Sequence, residues 1–173
     1  ILLLLLLLYN NNNNNNIYYY YMRMNSSFSQ QLVLFVVMFF IGITINPMNI
    51  LAHNFSDIYL SLTLIYSGIF MASNMIWSHQ VVHYINMGHF DRTIFFTGIL
   101  LSIFSVFLLR KQVFVNSTEW LKRMIGHHST AITTTKQLLK NDDNFTNKSY
   151  LYRLAKNIVY EQEREILFMK NML

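Results

Sequence analysis

Twenty consecutive residues, Ile58 to Trp77 (IYLSLTLIYSGIFMASNMIW), carry no charge. A helix of that length spans roughly 30 Å, the thickness of the hydrocarbon layer of a bilayer. A second charge-free run, TIFFTGILLSIFSVFLL at 93–109, follows after a break around Gly88 and stops at Arg110-Lys111. Ser56 or Asp57 is placed to cap the first helix and Asp91 the second, and Trp77 falls where interfacial aromatics concentrate. The sequence thus predicts a transmembrane helical hairpin over residues 57–111, with spans at about 58–77 and 93–109.

Composition supports this. The chain is 53% hydrophobic and 12% charged, with mean hydropathy +0.28, against about 25% charged residues in soluble domains. It has no cysteine, which excludes disulfides, thiolate zinc sites and cysteine nucleophiles. Residues 1–109 balance Arg23 and Arg92 against Asp57 and Asp91, so the eleven basic and six acidic residues from Arg110 onward carry the whole net charge of +5. The connecting loop holds only Arg92, whereas Arg110, Lys111, Lys122 and Arg123 follow the second span. By the positive-inside rule the C-terminal region lies in the cytoplasm. Acids alternate with its bases, as on a solvated helix, so the expected partner is an anionic bilayer and not a nucleic acid.

Residues 1–31 open with runs of leucine, asparagine and tyrosine. Such runs carry no period to specify a core, and the segment is expected to be disordered. Residues 1 to about 21 read as translated repeat sequence, with the natural start at Met22, Met24, Met38 or Met48. LVLFVVMFFIGITI, residues 32–45, ends at Asn46-Pro47 and is short for a span of about 20 residues. The 32–56 segment is compatible with a buried, re-entrant or interfacial piece or a marginal span.

Residues 112–173 read as an antiparallel αα-hairpin, with helices at about 117–140 and 149–172 joined by NDDNFTNKS. Asn116 and Glu119 have capping-box spacing. Leu121, Met124, Ile125, Ile132, Leu138 and Leu139 form the stripe of the first helix, and Leu151, Leu154, Ile158, Ile166, Met169 and Met172 that of the second. Two helices alone cannot enclose such a stripe, so a second copy or helices extending from the membrane are expected to complete a four-helix bundle. The fold class is all-α.

The first of these helices carries MIGHHSTAI. At 100° per residue, His127 and His128 fall about 60° and 40° to either side of Met124. With the hairpin centred on its loop, Met124 lies level with Glu165 and within about one turn of Met169. Met124, His127, His128 and Met169 therefore form a reachable donor set. Thioethers with neutral imidazoles suit Cu(I), and contributions from Glu165 or Glu161 would favour zinc or iron. A weaker second candidate is the stripe Met75, His79, His83 and Met87, in which His79 and His83 pair with one methionine. There is no nucleophile–base arrangement and no glycine-rich phosphate loop, so an enzyme is not expected. The competing expectation is a membrane-anchored structural or interaction module whose histidines are merely packed.

EWLKRMIGHHSTAI followed by LAKNIVYEQEREILFMKNML resembles the domain of unknown function 305 family. Matching positions are Met124, His127, His128 and Ala131, then Leu154, Ala155, Ile158, Gln162, Glu165, Ile166 and Met169. The resemblance implies a ferritin-like bundle and, as described for some members, copper bound through methionine and histidine. It also implies a location outside the cytoplasmic membrane, opposite to the charge bias. A proline common in that family between the Met-Ile and His-His pairs is Gly126 here.

Overall fold

The computed structural model describes residues 28–88, 91–141 and 150–173, all helix, turn or coil with no strand among them. In chain order the helices are α1 (Phe28–Thr44), the single-turn α2 (Pro47–Ile50), α3 (Leu62–Met87), α4 (Arg92–Lys111), α5 (Ser117–Asn141) and α6 (Tyr150–Asn171). A 3-10 turn, Phe55–Asp57, precedes α3.

Helices α1, α3 and α4 run antiparallel in an up-down-up bundle with α3 in the centre. Register is fixed at both ends. Gln31 Nε2 lies 3.1 Å from His79 Nδ1, while a Cβ on Gly42 would stand 3.0 Å from Gly68 Cα. The backbones of α1 and α3 can approach so closely only because both positions lack side chains, the device by which helices associate in lipid. Between α3 and α4, Ser102 donates to Asn74 at 2.8 Å, and Tyr66 donates to the Val113 carbonyl at 2.8 Å.

Polar residues share this bundle's interior with Leu64, Tyr66, Ala72, Ile76 and Ile94, and its outer faces are apolar. Gln31, Ser73, Gln80, Ser102 and Ser105 are buried, whereas Val33 and Phe40 of α1 and Leu100, Ile103 and Phe107 of α4 are exposed. A protein in water would reverse that order. The two described helical stretches long and apolar enough to cross a membrane are Gln30–Ile50 and Arg92–Lys111.

The first expected span starts later than the sequence indicates. Residues 58–61 are not helical, and α3 starts at Leu62, capped by Ser61 Oγ, which accepts from Leu64 N–H. Asp57 is no cap because its carboxylate is committed to α5 and α6, as described below. The 32–45 segment whose role stood open is a bundle helix, α1, which lies beside α3 and is itself apolar enough to cross a membrane. The expected disordered segment also ends earlier, since Phe28–Gln31 belong to α1 and Gln31 is buried against α3. Residues 1–27, with the proposed repeat and the start sites Met22 and Met24, lie outside the described residues, as does most of the hairpin loop.

Other boundaries agree. Gly88 ends α3 in the left-handed conformation, Asp91 caps α4 by accepting from Ile94 N–H at 3.1 Å, and α4 stops at Lys111. In the C-terminal hairpin, Asn116 Oδ1 accepts from Glu119 N–H at 2.9 Å. The reciprocal half of the expected capping box is absent because the Glu119 carboxylate instead accepts from Leu62 N–H at 2.7 Å, capping α3 from α5. Helices α5 and α6 enclose Leu121, Ile125, Ile132, Ile166 and Met169, with Tyr59, Met124 and Val159 against this cluster.

Candidate functional site

Three consecutive residues of α5 face three ways, as steps of about 100° require. His127 is exposed. His128 turns to α6, its Nδ1 3.0 Å from Glu165 Oε2, with a side-chain exposure of 13%. Ser129 is fully buried and turns to the segment before α3, accepting from His53 N–H at 2.7 Å and donating to Asp57 Oδ2 at 2.6 Å. The imidazoles of His127 and His128 lie edge to face, with ring centres 6.0 Å apart.

The His128–Glu165 contact sets the hairpin register one turn away from the loop-centred expectation. The same slip brings Met124 level with Met169, and both side chains belong to the one apolar cluster. Of the four expected donors, then, the structure places Met124, His128 and Met169 along the α5–α6 seam and leaves His127 at its rim. Burial pushes the His128 imidazole below its ordinary value, partly offset by the Glu165 carboxylate, so the ring is neutral near pH 7. The Glu165 carboxylate lies close to Nδ1, but the contact lacks the geometry of a hydrogen bond. Among the described residues no three His, Asp or Glu side chains converge as a metal cluster, so an ion at this seam would draw on the thioethers. Two imidazoles and a thioether fit a soft monovalent ion.

The second candidate set is spread along α3. His79 turns to Gln31 of α1, while Met75 and Met87 are exposed.

Sequence reasoning missed the cluster around Asp57. This carboxylate is 1% exposed, and besides Ser129 it meets Lys170 of α6, whose Nζ is 2.6 Å from Oδ1. Lys170 also donates to Ser56 Oγ at 3.0 Å. Lys136 of α5 reaches Glu163 at 2.7 Å and the His53 ring at 3.1 Å. The signal available was a lone acid in an otherwise charge-free stretch, which needs a buried partner as readily as it makes a cap.

The architecture is that of an all-helical protein in which a three-helix bundle with apolar outer faces carries an αα-hairpin at one end. The model of the domain of unknown function DUF305 matches residues 110–173, the end of α4 and the whole hairpin. "Uncharacterized protein L153" of Acanthamoeba polyphaga mimivirus is 31% identical over 142 residues, covering 82% of this chain and 90% of that protein. The chain belongs to the DUF305 family. No solved structure matches it.

Proposed function

We propose that this is an integral membrane protein whose α5–α6 hairpin binds or buffers a soft metal ion, with Cu(I) the ion its donors suit best. One observation carries the metal half: His128, half-buried with Glu165 close by, stands beside His127 and above the Met124–Met169 level of the seam. Met124, His127 and His128 would hold the ion from α5, with Met169 supplying a further thioether from α6. The bound ion supplies no reaction in this reading. The chain's part is capture, and protons compete with the ion for the imidazoles, so affinity weakens in acid. The bundle's apolar outer faces support the membrane half, and the basic cluster after α4 favours a cytoplasmic hairpin.

Titration of the full chain in detergent with Cu(I) against a competing chelator tests the metal half. The His127→Ala/His128→Ala variant should bind at least about tenfold more weakly, the loss expected for one or more ligands. Equal affinity in both proteins rejects it.

Burial of Met169 in the hairpin core favours a second reading, a membrane-anchored interaction module in which the methionines only pack. In that case Cu(I) leaves the melting temperature unchanged, whereas a metal module is stabilised by its ligand.

A further inference from the structure

Arg123 stands on α5 where the hairpin meets the bundle. It shares a cleft with Met48 and Asn49 of α2, with Asp57, whose carboxylate is taken up by Lys170 and Ser129, with Ser61 and Leu64 at the start of α3, and with Lys122. Its guanidinium touches the Met48 sulfur, and among the described residues it makes no ion pair. Its cationic neighbours differ: Lys122 holds Glu119 at 2.7 Å, and Lys170 holds Asp57. Burial disfavours the charge on Arg123, yet a guanidinium stays protonated in proteins. A partly desolvated cation without a counter-ion is costly, and its planar fork matches the oxygens of a phosphate.

The position of the cleft says where that phosphate comes from. Here α1 has just ended at Thr44, α3 is about to begin, and α4 has closed with the exposed Arg110 and Lys111. A bilayer wrapped around the apolar outer faces of α1 and α4 would place its headgroups at this level. Basic pockets beside membrane helices are the usual receptors for anionic headgroups.

We propose that Arg123, with Lys122 beside it, binds the phosphate of an anionic phospholipid at the junction of bundle and hairpin. This rests on the membrane half of the function proposed above and is independent of the metal half.

The test reconstitutes the full chain into nanodiscs of equal phosphatidylcholine and phosphatidylglycerol and counts by native mass spectrometry the lipids that stay bound. Wild type should retain phosphatidylglycerol enriched about tenfold over phosphatidylcholine, as one charge-assisted phosphate contact would give. Arg123→Gln should fall to the composition of the disc, Arg123→Lys should keep part of the enrichment, and Arg110→Gln/Lys111→Gln should keep nearly all. No enrichment in wild type, or undiminished enrichment in Arg123→Gln, overturns the site. If Arg123→Gln does not fold, wild type and Arg123→Lys still decide. A second arm adds inorganic phosphate. If it abolishes the enrichment and forms an adduct in pure phosphatidylcholine discs, the ligand is free phosphate and the lipid assignment falls. A chain that does not enter discs at all overturns both this site and the membrane reading, whereas insertion without headgroup preference overturns the site alone.

Discussion

Replacing Asp57 with asparagine should loosen the hairpin from the bundle while leaving the bundle intact. The carboxylate is buried, takes the Ser129 hydroxyl at 2.6 Å and lies 2.6 Å from the Lys170 ammonium. Asparagine keeps the size and an acceptor for Ser129 but leaves Lys170 without its counter-ion. Removing one partner of a buried pair costs about 3–5 kcal/mol. The Lys170 side chain is 26% exposed and can turn to water, so about 2–3 kcal/mol is expected here. Native-state hydrogen exchange of the full chain in micelles reads this directly. Amides in the middle of α5 and at the end of α6 should exchange about 30- to 150-fold faster, with α1 and α4 unchanged. Acid adds a second signature. Burial alone would raise the Asp57 carboxyl, but Lys170, Ser129 and the Asn54 backbone together hold it below the usual carboxylate value. With the folded value depressed, the contribution is complete above the unfolded value of about 3.9 and is lost as pH falls through the folded one. Wild type should therefore lose hairpin protection in that acid window, and Asp57→Asn should show no further loss. A change below about threefold, or one spread evenly over every helix, refutes the reasoning.

Four further outcomes follow from the packing. A methyl at Gly126 would meet the flexible Met48 sulfur at 3.3 Å, so Gly126→Ala should change denaturant stability by less than about 1 kcal/mol, with helix propensity offsetting the contact. Gly126→Leu should displace α2 and cost about 1–3 kcal/mol in the same unfolding assay. Gly68→Val places its Cβ 2.9 Å from Ile43 Cγ1 and 3.2 Å from the Phe39 carbonyl, and should destabilise α1 by about 1–3 kcal/mol, seen as selective loss of α1 amide protection. Glu119, held below the usual carboxylate value by Lys122 and Leu62 N–H against the opposing effect of burial, caps α3. Glu119→Gln should cost about 1 kcal/mol by thermal melting near pH 7, a gap that closes as pH falls through the depressed value.

Local rules read the start of the hairpin well, whereas Leu138, Leu151, Leu154 and Met172 of the expected stripes are exposed and Ala155 and Val159 face the partner helix instead. The Asn116 cap, the stripe from Leu121 to Ile132 and the Arg110-Lys111 stop are all short-range signals, and each appears at its expected place. The bundle was less legible because absence of charge does not identify which helix faces outward. Residues 58–77 have none, yet α3 occupies the centre and carries Ser73 and Gln80 inside, while the shorter run at 32–45 gains length by starting at Phe28 and faces outward. Asp57 satisfied the rule for a helix cap, but its ties to Ser129 and Lys170 join residues far apart in sequence, which no local spacing records. At the candidate site the four donors and Glu165 were named from spacing. Their register was one turn off because no local signal fixes where a helix–loop–helix seam closes.

The family match begins at residue 110, but the hairpin does not close its own core. Tyr59 packs on the α5–α6 cluster, Met48 lies on Gly126, and the 53–57 segment fills the face of α5 that Ser129 presents. Bulk at position 126 would press on Met48 of α2. A third wall of the domain is thus supplied from before α3, while Leu151, Leu154, Leu167 and Phe168 of α6 remain exposed on the other side. One turn of α5 consequently serves both ends of the molecule. His127 and His128 point to the rim and the seam, and Ser129 points to the Asp57 latch. An ion that drew the two imidazoles together would act on the turn that fastens hairpin to bundle, so metal affinity and hairpin docking should respond to the same substitutions.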